Sequence, residues 1–212
     1  MKRSGSKPPK KRQTQEIRSA TTRAKLIQAA IDCLREHGYA STRTSEIAER
    51  AGMTRGALQH HFSTKPDLLL AVVTSVSEEI LDHLKVAAEQ KGTLRQRVKT
   101  TLQQVWDVYR SAGYHVVVEI LSAERSDVEL RDAVDPYTHQ IEDVLRDWWA
   151  GYFADDGVPP ERIEATRHLT RSALRGMAIS TDFFPQPESY YEEQIALLAE
   201  MVTHTFESAA AK

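Results

Sequence analysis

The chain has 212 residues, 41% of them hydrophobic, with 28 Lys and Arg, 30 Asp and Glu, and a single cysteine, Cys33. That is enough apolar material for a buried core, but no apolar run approaches the ~20 residues of a membrane span, and one thiol excludes an intrachain disulfide and fits a reducing, cytoplasmic location. The net charge of −2 hides an asymmetry: residues 1–62 carry 13 basic and 5 acidic side chains, and residues 63–212 carry 15 and 25.

A basic first third on an acidic remainder is the pattern of a chain whose N-terminal part meets a polyanion. Residues 1–12 alone hold six positive charges, yet residues 13–62 keep a balance of +2 without them. The opening stretch, residues 1–18, is polar and basic and contains Pro8-Pro9, which reads as a disordered tail. No apolar stretch follows its charged start, so a secretory signal is not expected.

From there on, strand-like alternation is absent and helical periodicity dominates. A first helix over 20–37 places Ile27, Ala30, Ile31 and Leu34 on one face and stops at Gly38. A short second helix, 43–51, turns Ile47, Ala48 and Ala51 inward, with Thr42 or Thr44 as its cap, and Gly52 ends it. A third follows over 54–62, capped by Thr54. Thr64 with Asp67 three residues on is a capping-box pattern that opens a long fourth helix to about residue 90, broken by Lys91-Gly92. Further helices are expected at 94–110, 114–124, 127–153, 160–183 and 188–208. The fold class is all-α, with about nine helices.

The second and third helices with the glycine turn between them, SEIAERAGMTRGALQHHF, have the layout of a helix-turn-helix, whose second helix is offered to the DNA major groove. On a helical wheel Leu58 and Phe62 define the buried side of the third helix. Gly56 and His60 lie opposite, Ala57 beside them, Arg55 and Gln59 at the flanks, and His61 near the core edge. Arg can bond bidentately to guanine and Gln to adenine, and the Ala57 methyl can touch a thymine methyl. Gly56 costs the helix ~1 kcal/mol relative to Ala, which is understandable if backbone must approach DNA closely.

Other chemistry finds little support. His60 and His61 project about 100° apart, so they do not share one ion. No Cys or His pairs stand at zinc-finger spacing, and the i, i+4 pair His115 and Glu119 reads as a pocket or surface pair. Nucleophile-elbow, zinc-protease, phosphate-loop and dinucleotide motifs are all missing. The chain therefore reads as a non-enzyme without metal or cofactor. Aromatic residues Trp106, Tyr109, Tyr114, Trp148, Trp149, Tyr152 and Phe183 read first as core. As a group with His115, Glu119, His168 and Met177 they could line a mostly apolar cavity. Tyr191, Ile195, Leu198, Val202 and Phe206 form a stripe at helical spacing along the last helix, and the eighth has a broad apolar side that includes Leu169, Ala173 and Met177.

The N-terminal pattern resembles the DNA-binding domain of the TetR family of bacterial transcriptional regulators over residues 20–75. The resemblance is carried by the Ile27/Ala30/Ile31/Leu34 face, Gly38-Tyr39, Glu46-Ile47-Ala48, Ala51-Gly52, the Gly-Ala-Leu of 56–58, His61-Phe62 and Lys65. Later helices match that family in number, length and lack of strands. The resemblance implies a basic tail over 1–18, a helix-turn-helix domain over 19–65 and a ligand-binding and dimerisation domain over 66–212. It implies groove-facing Arg55, Gly56, Ala57, Gln59 and His60, with Thr54 at the head of the helix. His61 and Lys65, and Thr42, Arg43 and Thr44, would meet the phosphate backbone.

One departure stands out. The family often has Tyr where this chain has Gln59, and an aromatic at His60, so Gln59 is a candidate base reader. The resemblance further implies a homodimer, with Leu169, Ala173, Met177, Tyr191, Ile195, Leu198, Val202 and Phe206 at a four-helix interface. The expected partners are a near-palindromic operator and a small apolar or aromatic effector that releases a repressor from it, the long fourth helix serving as lever. Activation by the same fold and nonspecific DNA packaging are the alternatives.

Overall fold

The computed structural model describes residues 10–211, with side chains from residue 16 onward; residues 1–9 of the expected tail lie outside the described residues. Among the described residues there are nine α-helices, one short 3-10 turn and no strand. The helices are α1 (Lys10–Ser41), α2 (Thr44–Arg50), α3 (Arg55–His61), α4 (Lys65–Glu89), α5 (Leu94–Tyr109), α6 (Ala112–Ala123), α7 (Val128–Tyr152), α8 (Pro160–Phe183) and α9 (Glu188–Ala210). They fall into two compact units, the first ending at Val72 and the second starting at Val73, so the division lies within α4.

In the first unit, α1 begins at Lys10, well before the expected start at residue 20, so residues 10–18 belong to the helix. From Lys10 to His37 the chain contains neither Gly nor Pro and is rich in Lys, Arg, Gln and Ala, all good helix formers. The helical path breaks at Gly38, whose φ of 73° is open to a residue without Cβ. The buried side of α1 is Leu26, Ala29, Ala30, Ile31, Cys33 and Leu34, so Ala30, Ile31 and Leu34 of the expected face are inside, while Ile27 sits half-buried at its edge. These pack with Ile47 and Ala48 of α2, Leu58 of α3, Phe62, and Leu68 and Leu69 of α4, all nearly inaccessible. Fully burying a side chain of this size stabilises by ~1.5–3 kcal/mol.

The turn between α2 and α3 is set by Gly52, at φ 67°. Its N–H donates to the Glu49 carbonyl at 2.9 Å, and the Met53 N–H donates to the Ala48 carbonyl at 2.8 Å. This is a Schellman closure, which satisfies the last carbonyls of α2. Thr54 then caps α3, its hydroxyl oxygen accepting the Ala57 N–H at 3.1 Å. Thr64 and Asp67 form the expected reciprocal box at the head of α4: Thr64 N–H donates to Asp67 at 2.9 Å, and Asp67 N–H to the Thr64 hydroxyl at 3.1 Å.

In the second unit α5 packs on α8 and α9, and α7 packs on α8. Trp106 lies against Tyr191, ring centroids 5.5 Å apart, and Phe153 against Phe206 at 5.1 Å. Arg97 donates to the Tyr152 carbonyl at 3.2 Å and pairs with Asp156, while the Tyr152 hydroxyl donates to the Ala87 carbonyl at 2.9 Å. The end of α7 is thereby tied to both α5 and the end of α4.

Candidate nucleic-acid interface

Because Leu58 and Phe62 are almost wholly buried, α3 has one orientation open to it, and its opposite face is presented outward. Arg55, Gly56, Gln59 and His60 are exposed, and Ala57 and His61 are half-buried at its margins. The guanidinium of Arg23, from α1, lies 4.3 Å from the centre of the Phe62 ring and braces the inner end of the helix. His60 and His61 meet edge to face at 5.6 Å. A Cβ on Gly56 would meet nothing nearer than the Thr54 hydroxyl, at 3.9 Å. Packing within the chain therefore does not demand glycine at this position. The first turn of α3 carries no acidic residue, so nothing there offsets Arg55.

Two of the expected phosphate contacts come out differently. Thr42 is 2% exposed, and its hydroxyl donates to the Gly38 carbonyl at 2.7 Å and the Cys33 carbonyl at 3.2 Å. It closes the break at Gly38 from inside and is not available to DNA. Neither Thr42 nor Thr44 caps α2: the cap position is Arg43, without a side-chain bond, and Arg43 is exposed while Thr44 is half-buried. Lys65 is half-buried, and its ammonium donates to the Tyr39 carbonyl at 2.8 Å. It thus has a structural partner before any phosphate arrives. Two acids of this unit are engaged as well: Glu36 accepts both terminal nitrogens of Arg50, and Glu46 lies 2.8 Å from His37.

The expected aromatic pocket in the second unit does not assemble as a single cavity. Tyr109 and Trp149 line a small, partly open space of about 30 Å³ together with Ile80, Leu84, Val105 and Leu174. Trp106 is used against Tyr191, and Tyr114 is stacked on Tyr109 at 3.8 Å. Trp148 stacks on Tyr152 at 4.7 Å. His115 pairs with Asp182 at 3.0 Å and His168 with Glu164 at 2.8 Å. Phe183 is 69% exposed, Met177 lines a separate surface groove, and Glu119 does not line the small cavity. Aromatic side chains carry so much apolar area that all of these but Phe183 found packing partners of their own, and composition alone could not say which shared a wall.

What the sequence reading passed over is the polar side of that cavity: Arg167, Thr170 and Arg171 of α8. Arg167 is 4% exposed and reaches Glu164 at 2.8 Å and Glu142 at 3.1 Å; Arg171 also pairs with Glu142. Arg175, one turn further, donates to the Tyr114 hydroxyl at 3.0 Å. The recurrence of Arg every fourth residue from 167 to 175 was a readable signal, since such residues share a helix face. Burial pushes the Tyr109 phenol well above its usual range, so this wall stays neutral.

The expected dimer set divides in two. Tyr191, Ile195, Val202 and Phe206 are buried in the chain's own core and are not available to a partner. A helix turns one apolar stripe to its core, and this was that stripe. Leu169 is 65% exposed, Ala173, Met177 and Leu198 are half-buried, and a second apolar row the sequence reading missed, Leu197 and Met201, is exposed on α9.

Among the described residues no three His, Cys, Asp or Glu side chains are grouped as around a metal ion, and no helix is long and apolar enough to cross a membrane. A glycine-closed helix pair that offers an acid-free, Arg-bearing helix on a basic unit defines a helix-turn-helix DNA-binding protein. Residues 26–72 match the model of the bacterial regulatory proteins of the tetR family. Over 80% of its length the chain is 29% identical to the HTH-type transcriptional regulator CymR of Pseudomonas putida, covering 83% of that protein. It is 28% identical over 90% of its length to an uncharacterized HTH-type transcriptional regulator of Mycobacterium tuberculosis, covering 97% of it. The fold matches the crystal structure of a transcriptional regulator from Rhodococcus sp. Rha1 with a TM-score of 0.73, at 22% identity over 86% of this chain and 96% of that one. The chain thus resembles the TetR family of transcriptional regulators, in its N-terminal helices by sequence and over most of its length by fold.

Proposed function

We propose that the chain is a ligand-responsive repressor that binds a near-palindromic operator as a homodimer and is released by a small, largely apolar effector. The observation that carries the DNA half is the outward face of α3, where Arg55, Gly56, Gln59 and His60 stand exposed above a fully buried Leu58. In this reading Arg55 and Gln59 bond base edges, Ala57 touches a thymine methyl, and Thr54, His60, His61, Arg43, Thr44 and Lys65 position the helix.

One helix of this length spans too few base pairs to be selective, so two copies related by a two-fold axis would read a palindrome. The exposed apolar residues Leu169, Leu197 and Met201 support a second copy of the chain as the occupant of the α8–α9 face. The small cavity supports an effector site in the second unit. α4 supplies Leu68 and Leu69 to the first core and Ile80 and Leu84 to the cavity wall, so an effector that favours one setting of α4 would shift DNA affinity by linkage.

The test begins with selection of duplexes from a random pool. A palindromic consensus should emerge, and Arg55→Ala should weaken its binding by ~1–3 kcal/mol while sparing random DNA. An equal loss on both DNAs removes base reading by Arg55. Selection that yields no consensus overturns the operator.

A further inference from the structure

The cavity of the second unit is lopsided in its chemistry. Its walls are Ile80, Leu84, Val105, Leu174, Tyr109 and Trp149, while its charged side chains, with Thr170, come from one stretch of α8, residues 167–171. Thr170, one of the lining residues, is 2% exposed, and its hydroxyl has no hydrogen-bond partner. A buried hydroxyl in that state is costly unless something completes it. Arg167 and Arg171 beside it can only donate, so whatever meets them must accept.

One carboxylate already does so. Glu142, from α7, gives one oxygen to Arg167 at 3.1 Å and the other to Arg171. Its side chain is 35% exposed, and that of Arg171 26%, so this pair lies between the cavity and solvent. Glu142 can move to water without crossing the core, whereas Arg167, at 4% exposed, cannot leave. Along the α8 ladder Arg167, Arg171 and Arg175 face two carboxylates, Glu142 and Glu164, which leaves a positive excess. A space of about 30 Å³ is water-sized, so a larger occupant has to displace a side chain, and the Glu142–Arg171 pair is the one poised to yield.

We propose that this cavity receives a ligand with an apolar body and a single carboxylate, which takes the place of the Glu142 carboxylate on Arg167 and Arg171 and accepts from Thr170. The inference rests on the reading that the second unit takes an effector, and names its chemical class. A carboxylate fits because the two guanidiniums already hold one in a bridging geometry; the apolar walls on every other side disfavour a multiply charged phosphate. The exchange conserves charge at the site: one carboxylate leaves for solvent as another enters.

Calorimetry on the full-length protein tests it with two matched pairs: octanoate against octanamide, and 2-naphthoate against 2-naphthamide. At least one acid should bind about 10- to 100-fold more tightly than its amide, the range of a charge-assisted bond. Arg171→Met should bring the acid and amide together, weakening the acid by far the more. Glu142→Gln should strengthen acid binding several-fold, because the internal competitor has lost its charge. The proposal is overturned if neither acid binds, if acid and amide bind alike in the unaltered protein, or if Glu142→Gln leaves acid affinity unchanged. Binding of the selected duplex, measured on the same samples, separates the two levels. A duplex that is bound, and released only by neutral compounds, sinks the carboxylate and leaves the regulator; failure to select any duplex sinks the regulator.

Discussion

The ammonium of Lys65 donates to the main-chain oxygen of Tyr39 at 2.8 Å and lies 4.2 Å from the centre of the Tyr39 ring. The first residue of α4 is thereby fastened to the segment that follows the break at Gly38, twenty-six positions earlier. A lysine that served only a phosphate would leave stability untouched when replaced. Here Lys65→Met should lower unfolding stability by ~1–2 kcal/mol through loss of a charged, partly buried hydrogen bond, and should weaken binding to selected and random DNA alike. Urea denaturation reads the first effect and a salt-controlled binding assay the second. Unchanged stability would mean that the Tyr39 contact contributes nothing in solution.

Gly56 separates two demands that usually coincide. A methyl group there meets nothing within the chain nearer than 3.9 Å, so Gly56→Ala should stabilise the protein by up to ~1 kcal/mol through helix propensity. The same methyl would stand on the face offered to the groove, so affinity for the selected duplex should fall about tenfold or more. If the variant is more stable and binds DNA as before, close backbone approach is not the reason for glycine.

Much of this was legible in the sequence because local chemistry and global fold agree. Gly38 and Gly52 stand where the backbone turns to positive φ, Thr54 and the Thr64–Asp67 pair cap helices as their spacing implied, and Leu58 and Phe62 fix the facing of α3. Reading failed where a side chain had a choice of partners. Thr42 looked like a surface hydroxyl but went to main-chain oxygens that a break in α1 left free. Trp106 went to Tyr191 of α9, Tyr109 to Tyr114 and Trp148 to Tyr152, and the polar wall came from an arginine ladder that shares the carboxylate of Glu142 on another helix, α7. Such pairings depend on how helices approach each other, which periodicity within one helix does not encode.

The Glu164 carboxylate carries a pH signature. The hydrogen bonds from Arg167 hold it below the ordinary value of 4.5, against the opposing effect of burial. A depressed carboxylate contributes stability that is present above its unfolded value and is lost as pH falls through the folded one. Glu164→Gln should therefore destabilise the protein at neutral pH, where it also leaves Arg167 short of a partner. The gap to the unaltered protein should narrow steadily below about pH 4.5. Denaturation midpoints measured from pH 7 to pH 3.5 would show it, and a gap that stays constant across that range would exclude the linkage.

The two apolar rows of α9 make opposite predictions, and that contrast tests the dimer most directly. Ile195 is 1% exposed, and Ile195→Ala should cost about 2–5 kcal/mol of stability in the manner of a core cavity. Leu169 and Met201 are 65% and 55% exposed, so Leu169→Glu with Met201→Glu should leave the fold of a single chain intact. If their face meets a second copy, four carboxylates would be brought into one apolar contact, and the association should be lost. Light scattering should give about twice 24 kDa for the unaltered protein and 24 kDa for the double variant, whose affinity for a single half-site should persist while affinity for the full palindrome drops. A double variant that still sediments as a dimer would move the interface off this face, and an unaltered protein that is monomeric at micromolar concentration would remove the two-fold reading of the operator.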